Sequence, residues 1–495
     1  MKLLNAQQIH QWDEFTMAHE PISSVDLMER AARRCTDWLL KNIEPSSSVR
    51  IFCGKGNNGG DGLAIARQLI EAGLLPVIYI LEFGAKGTED FQINLNRLHE
   101  LTKEIYFIQS KDFFPELDKD SIVIDALFGS GLNRPLKDLS AELVEHINAS
   151  GAEIISIDIP SGMFIDKSSI GNSVIKATAT LSFQSKKLCF LVAENAVFFG
   201  EVVILDIKLH PGFTETIDTD FSLVDLSFIR QIIQPRKKFS HKGTFGHALL
   251  IAGNKGKIGA AILAAKACLR TGAGLLTCHL PQDALSILHT TLPESMASVR
   301  EEEPEWDKYT AIGIGPGLGT KDDAVELLKN TISNFHKPVI VDADALNIIS
   351  KGSLSLKQLR RNSIITPHPK EFDRLFGNSS NDFERIEKAL KASKELSLVI
   401  VLKGHYSLIA KDGKGWFNTT GNPGMATGGS GDVLTGIITS LLAQKYEPLN
   451  AAVAGVYLHG LAGDLALQFQ SEESLLPSDI SKCMGKAFRH VLQGE

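Results

Sequence analysis

From Asn422 to Asp432 the chain reads Asn-Pro-Gly-Met-Ala-Thr-Gly-Gly-Ser-Gly-Asp, and Val433–Leu442 follows at once as an apolar run of helical length. Backbone amides freed at a helix N-terminus, with no bulky Cβ atoms in the way, cradle phosphate oxygens. The helix dipole adds partial positive charge at the same point. An acid placed there is costly beside a phosphate unless it has a task. The obvious task for Asp432 is to take a proton from a hydroxyl that attacks phosphorus. The alternative is a helix N-cap, which needs one small residue and not Gly428, Gly429 and Gly431 together.

More segments of the same half could face that cleft. Gly253–Ala260 is a glycine loop ahead of a small-residue helix, Ala261–Thr271. Gly313–Gly319 holds four glycines, Asp342-Ala-Asp-Ala-Leu-Asn347 follows a strand, and Thr366-Pro-His-Pro-Lys-Glu371 carries His368. Prolines on both sides of His368 argue for a rigid loop rather than a helix. No further His or Cys stands at zinc-ligand spacing. Lys403-Gly-His-Tyr-Ser407 puts a cation at a strand end, where it suits a nucleotide phosphate. No G-x-x-x-x-G-K-[ST] occurs, which argues against a P-loop NTPase.

The N-terminal half carries different chemistry. Gly54-Lys-Gly-Asn-Asn-Gly59 satisfies G-x-G-x-x-G, and Glu82 ends the next strand, as in a dinucleotide site. The reading expects the loop to run to Gly62 and a helix to follow over Leu63–Ala72. Yet two more strands end in acids beside glycine loops, Asp125 before Ala-Leu-Phe-Gly-Ser-Gly and Asp158 before Ile-Pro-Ser-Gly. Parallel strands would gather Asn58, Asp125, Asp158 and Ser161 at one crevice. Carboxylate, amide and hydroxyl oxygens together suit a hard cation.

The elements that must position these residues are legible. β-branched strands at Val49–Cys53, Val77–Leu81, Ile122–Asp125, Ile154–Asp158, Ala248–Ala252, Ala311–Ile314, Pro338–Val341 and Leu398–Leu402 alternate with amphipathic helices. That alternation means α/β architecture with largely parallel sheets, whose ligands sit at the carboxyl ends of strands. The basic, turn-rich stretch Gln234–Gly246 interrupts the pattern. It implies two domains, 1–225 and 226–495, separable by a cut near Ser222–Ser227. An apolar content of 43% in 495 residues supplies two large cores. The net charge of −7 argues against a general nucleic-acid binder. Six scattered cysteines, no apolar N-terminal core and no membrane-length run lead us to expect a cytoplasmic protein with no membrane partner.

The C-terminal motifs resemble those of the ADP- or ATP-dependent NAD(P)HX dehydratases, enzymes of ribokinase-like fold that repair hydrated NADH and NADPH. The resemblance spans roughly residues 228–490. It implies that Ala260, Gly317, His368 and Asp432 meet the hydrated nucleotide. By the same resemblance, Lys403, Gly404, His405, Tyr406, Ser407 and Gly431 hold the adenine nucleotide with Mg²⁺, and Asp432 is the catalytic acid–base. The N-terminal set, over roughly residues 1–220, resembles the NAD(P)HX epimerases, which are Rossmann-like three-layer sandwiches. That implies a potassium ion on Asn58, Asp125 and Ser161. Asn58, Gly59, Gly60, Asp61 and Gly62, with Gly129, Ser130, Gly131, Leu132, Asn133, Arg134 and Pro135, would line the substrate path. Asp158 would be catalytic.

The combined expectation is a bifunctional repair enzyme, with ADP favoured over ATP by analogy with bacterial fusions and a homo-oligomeric state. Three other readings stay open at this point. They are a ribokinase-like vitamin-precursor kinase fused to a nucleotide-binding domain, a non-catalytic nucleotide sensor, and a plain NAD dehydrogenase.

Overall fold

The computed structural model of the protein describes residues 1–82, 84 and 86–493. The chain forms two compact units: Lys2–Thr219 with Asn381–Phe383, and Met1 with Asp220–Ser380 and Glu384–Glu495.

The first unit is built on a seven-stranded sheet. In spatial order its strands are Ile105–Ile108, Val77–Leu81, Ser48–Cys53, Ser121–Ala126, Glu153–Ile157, Ala179–Phe183 and Glu201–Leu205, all parallel. Successive side chains serve opposite faces. Ile51, Ile122 and Ile124 join a core with Leu39, Leu63 and Leu69 of the helices Ser24–Asn42 and Asn57–Glu71. Phe52 and Val123 join another with Leu143 and Ile147 of the helix Asp138–Ala149. Helices on both faces make the three layers expected. The order of connection reverses between Ser48–Cys53 and Ser121–Ala126, so a crevice opens where those strands end.

In the second unit the order runs Phe221–Val224, Lys414–Asn418, Leu408–Lys411, Val399–Leu402, Ile364–Ile365, Val339–Val341, Ala311–Ile314, His247–Ile251, Leu275–Leu280 and Met296–Val299. Only Leu408–Lys411 among these runs against its neighbours. This sheet reverses between His247–Ile251 and Ala311–Ile314, the strands that lead into the two glycine loops. The helix Ser430–Ala443 lies against the helix Ile258–Thr271, close enough that a Cβ on Gly436 would stand 2.0 Å from the Ala264 carbonyl oxygen.

The helix expected from Ala261 runs Ile258–Thr271, and three more helices begin earlier than the sequence suggests. The first spans Asn57–Glu71 rather than Leu63–Ala72, so the glycines from 59 to 62 are helical. Added Cβ atoms would stand 1.8 Å from the Gly54 carbonyl oxygen at Gly59 and 2.6 Å from the Ala126 Cβ at Gly62. Close packing on the strand end, and not turn conformation, requires these glycines. Ser430–Ala443 likewise takes Gly431 and Asp432 into its first turn, behind Gly429 at φ +103°. The third helix, Pro369–Phe376, starts beside His368, where a loop was expected. Pro369 occupies the first helical position, whose N–H would have no partner in any case.

Candidate functional sites

At the crevice of the first unit lies a cavity of about 550 Å³, lined by Asn58, Asp61, Gly129, Ser130, Gly131, Leu132 and Asp158 among others. Leu27, Met28, Phe183, Ile207 and Leu209 add apolar walls suited to a flat ring. Asp125 is wholly buried and accepts from Ser161 N at 2.9 Å, Ser161 Oγ at 2.5 Å and Ser156 Oγ at 2.7 Å. Burial raises its pKa, with the hydroxyls and amides of this ring opposing. No cation pairs with it among the described residues. Nearby, both side-chain atoms of Asn58 are buried without a hydrogen-bond partner. A buried amide left unpaired costs free energy unless something absent from the chain completes it.

Asp158 sits at φ +69°, just past its strand. Its Oδ2 accepts from Ser130 N at 2.7 Å, and its Oδ1 lies 3.0 Å from Lys187 Nζ. Lys187 is 1% exposed and also donates to Ser182 Oγ at 2.5 Å. Burial alone would raise the Asp158 pKa, but the Lys187 ammonium and the Ser130 bonds hold it below the ordinary carboxylate value. Asp158 thus places a carboxylate that favours its ionised form in the cavity wall. Gly59, Gly60 and Gly62 lie behind the wall, and Asn133, Arg134 and Pro135 are not part of the lining. Glu82, which looked like a ribose ligand, pairs with Lys55 at 2.5 Å instead.

In the second unit the strand ends converge on Asp342. Its carboxylate is buried, 2.9 Å from Lys403 Nζ, and accepts from Thr435 Oγ1 at 2.7 Å. A Cβ on Gly431 would stand 3.4 Å from Lys403 Nζ, so the lysine reaches the helix start where a phosphate would rest. Glu371 Oε2 lies 4.0 Å from the same nitrogen. Asp344 accepts from Gly319 N at 2.8 Å and pairs with Lys257 at 3.1 Å. Gly317 and Ala260 approach closely there, for a Cβ on Gly317 would touch Ala260 Cβ at 3.0 Å.

His368 caps its helix: Nδ1 accepts from Lys370 N at 3.1 Å and Glu371 N at 3.3 Å, while His368 N donates to Glu371 Oε2 at 2.9 Å. Burial lowers its pKa, and the Glu371 carboxylate, 3.5 Å from Nε2, opposes the shift. The segment Lys403–Ser407 is the turn between Val399–Leu402 and Leu408–Lys411, closed by Ser407 Oγ donating to Gly404 O at 3.1 Å.

Asp432 stands in the first turn of its helix with a pKa raised to about 6. Burial is the largest cause, Asp342 and Asp344 repel its charge, and Lys403 opposes them. A carboxylate tuned toward neutrality, beside a cation and free helix amides, is equipped to take a proton during phosphoryl transfer. His459, which sequence reasoning passed over, places Nε2 3.3 Å from Ser430 Oγ at the same helix start, and burial lowers its pKa to about 4. Lys187 and Asp13, which line the first cavity, drew no notice in the sequence, whereas the segment that starts at Asp342 was expected at the cleft without a role for its carboxylate. Among the described residues no cluster of three His, Cys, Asp or Glu side chains could hold a metal, and no helix is long and apolar enough to cross a membrane.

Comparison with known proteins supports this division. Residues 24–189 match the family described as YjeF-related protein N-terminus, and residues 248–486 match NAD(P)H-hydrate dehydratase. The bifunctional NAD(P)H-hydrate repair enzyme Nnr of Moorella thermoacetica is 33% identical, over 99% of this chain and 97% of its own. That of Coxiella burnetii is 34% identical, over 93% and 94%. Among solved structures, the ADP/ATP-dependent NAD(P)H-hydrate dehydratase of Bacillus subtilis, co-crystallised with ATP and Mg²⁺, is 33% identical. It is covered over 97% of its chain and 54% of this one, at a TM-score of 0.50.

Proposed function

We propose a division of labour between the two sites from the premise that this chain belongs to the family of bifunctional NAD(P)H-hydrate repair enzymes. The protein interconverts the R and S epimers of hydrated NADH and NADPH, and dehydrates the S epimer to NAD(P)H at the expense of ADP or ATP. The observation that carries the dehydratase assignment is Asp432 in the first turn of a glycine-led helix, next to Lys403 and Asp342. In this reading Asp432 removes the proton of the ring hydroxyl as its oxygen attacks the terminal phosphorus. Lys403 and the helix amides take up the charge that develops, and Mg²⁺ on the nucleotide would supply further positive charge there. The C–O bond then breaks, its electron pair leaving with the phosphate, and loss of a proton from the neighbouring ring carbon restores the double bond of the reduced ring. Ala260, Gly317 and His368 hold the hydrated ring, while Lys403–Ser407 and Gly431 hold the nucleotide. The direct test is to incubate the protein with mixed epimers of hydrated NADH, Mg²⁺ and ADP or ATP. Reduced-nicotinamide absorbance should return only when the nucleotide is present.

The first cavity is the epimerase, with Asp158 as its base. Asn58, Asp125 and Ser161 fit a potassium ion: their donors are oxygens, Asp125 has no cationic partner among the described residues, and the Asn58 amide awaits one. The ion would neutralise a buried carboxylate and order the loops that line the cavity. Epimerisation is therefore expected to fall at least ~10-fold when lithium replaces potassium at equal ionic strength, as an ill-fitting cation supplies less of that order. Equal rates in both salts would remove the ion from the site.

The unit boundary has a measurable consequence. Strand Phe221–Val224 pairs with Lys414–Asn418 and buries Leu223 and Val224. A fragment starting at residue 226 lacks that strand, and burial of two such side chains is worth about 3–5 kcal/mol. Residues 220–495 are expected to dehydrate the S epimer, while residues 226–495 unfold at a lower temperature. Calorimetry of both fragments checks this, and equal melting temperatures would show the strand to be dispensable. The six free, buried cysteines support the reading of a reducing compartment such as the cytoplasm.

A further inference from the structure

Epimerising a hydrate makes two demands for protons. Water adds to an enamine at the carbon beside nitrogen, so the hydroxyl of the hydrated ring sits on that carbon. Such a centre inverts without an oxidant by opening to an aldehyde, rotating and closing again. On opening, the hydroxyl proton leaves as the C=O bond forms. The C–N bond breaks, its electron pair goes to nitrogen, and nitrogen takes up a proton. On closing, nitrogen attacks the opposite face of the carbonyl carbon, loses its proton, and the oxygen regains one. A single carboxylate held ionised can serve the oxygen, but something else must serve the nitrogen.

We propose that Asp13 is this second acid–base group of the epimerase cavity, giving a proton to the ring nitrogen on opening and taking it back on closing while Asp158 serves the oxygen. The inference rests on the reading of the first site as the epimerase. Asp13 lies on the helix Ala6–His19, whose residues Ala6, Ile9, His10, Asp13 and Met17 all line the cavity at helical spacing. The helix is pinned beside Asp13 by Trp12, which also lines the cavity, and by Thr16. Trp12 Nε1 donates to His210 O at 2.8 Å, and Thr16 Oγ1 accepts from His210 N at 3.0 Å. Asn5 and Gln8 close a capping box at its start. Asp13 is therefore presented by a fixed element, not by a loop. It also lies outside residues 24–189, the part that the N-terminal family match covers.

Its surroundings suit the role. Burial and then the charge of Asp158 raise its pKa to about 6, with Glu14 adding to them, while His10 and Lys187 oppose. A group near 6 both gives and takes protons close to neutral pH. Asp61, from the helix Asn57–Glu71, also lines the cavity, but burial and the charges of Asp158, Asp13 and Asp90 push its pKa well above the ordinary value. Those surroundings disfavour the ionised form that would have to take the proton back. The two working carboxyls thus differ in the needed sense. Lys187 keeps Asp158 ionised, and nothing comparable pairs with Asp13 among the described residues.

The test uses the full-length protein and the purified R epimer. For Asp13→Asn, kcat of epimerisation is expected to fall by ~10²–10⁴ with KM held within about threefold, the pattern of a proton-transfer group. Dehydration of the S epimer should stay at the wild-type rate, which shows that the second site and its reading are intact. Asp13→Ala should regain part of its epimerisation rate on addition of acetate, which restores a carboxyl to the cavity. A wild-type kcat in the Asn variant, a change in KM alone, or no acetate rescue of the Ala variant would each overturn the role of Asp13. If wild-type protein itself fails to convert the R epimer, the reading of the site fails instead.

Discussion

Asp432→Asn is expected to abolish nucleotide-dependent dehydration while leaving nucleotide binding close to normal. The amide keeps the shape and the place in the first helical turn but cannot accept the hydroxyl proton. Removal of a general base costs typically ~10²–10⁴ in rate. Binding should survive because Lys403, Gly431 and the free amides are untouched, and loss of one negative charge beside the phosphates favours the anion. The measurement is return of reduced-nicotinamide absorbance from the S epimer, alongside calorimetric titration with ADP. Turnover near the wild-type rate would falsify the assigned role. The same residue sets a pH dependence. Asp432 works as a base only when ionised, and its pKa stands at about 6. The wild-type rate is therefore expected to be flat above that value and to fall as the pH drops through it. An acid limb near the ordinary value for an aspartate, about 4, would mean that another group governs the step.

Much of this site is visible in the sequence because its parts lie at strand ends, and strand ends are easy to see. β-branched runs between glycine turns gave Val77–Leu81 and Ala311–Ile314 with the bounds found in the structure. The helix starts were harder, for a physical reason. Glycine lowers intrinsic helix propensity by about 1 kcal/mol and so reads as a turn. At Gly59 and Gly62 that cost is accepted because only a bare backbone fits against Gly54 and Ala126. His368 was misread in the same way, with Pro369 taken as a helix breaker when it is a helix starter. Through-space partners leave no local trace. Lys187 looks like one of two lysines after a strand, and Asp13 like an ordinary polar position on a polar helix. Only the folded arrangement shows one pairing with Asp158 and both facing one cavity.

Asp158 carries the second large effect, and its variants must be chosen with the buried lysine in mind. Replacing Asp158 by Asn is expected to reduce use of the R epimer to the spontaneous rate while S-epimer dehydration continues. The same change strands the Lys187 ammonium, which is 1% exposed, without its counter-charge. Breaking a buried ion pair by removing one partner costs about 3–5 kcal/mol, so lost activity alone would not separate catalysis from folding. The double variant Asp158→Asn with Lys187→Met separates them. An apolar side chain of similar length removes the uncompensated charge, and such exchanges are often neutral or stabilising. The double variant is expected to melt near the wild-type temperature and still fail to epimerise. The pair also has a pH signature in the wild-type protein. Because the folded-state pKa of Asp158 is lowered, its contribution to stability is present above the unfolded value, about 3.9. That contribution fades as the pH falls through the lower folded value. R-epimer turnover above the spontaneous rate in a stably folded double variant would show that Asp158 is not the base, and that the buried pair exists to hold the fold.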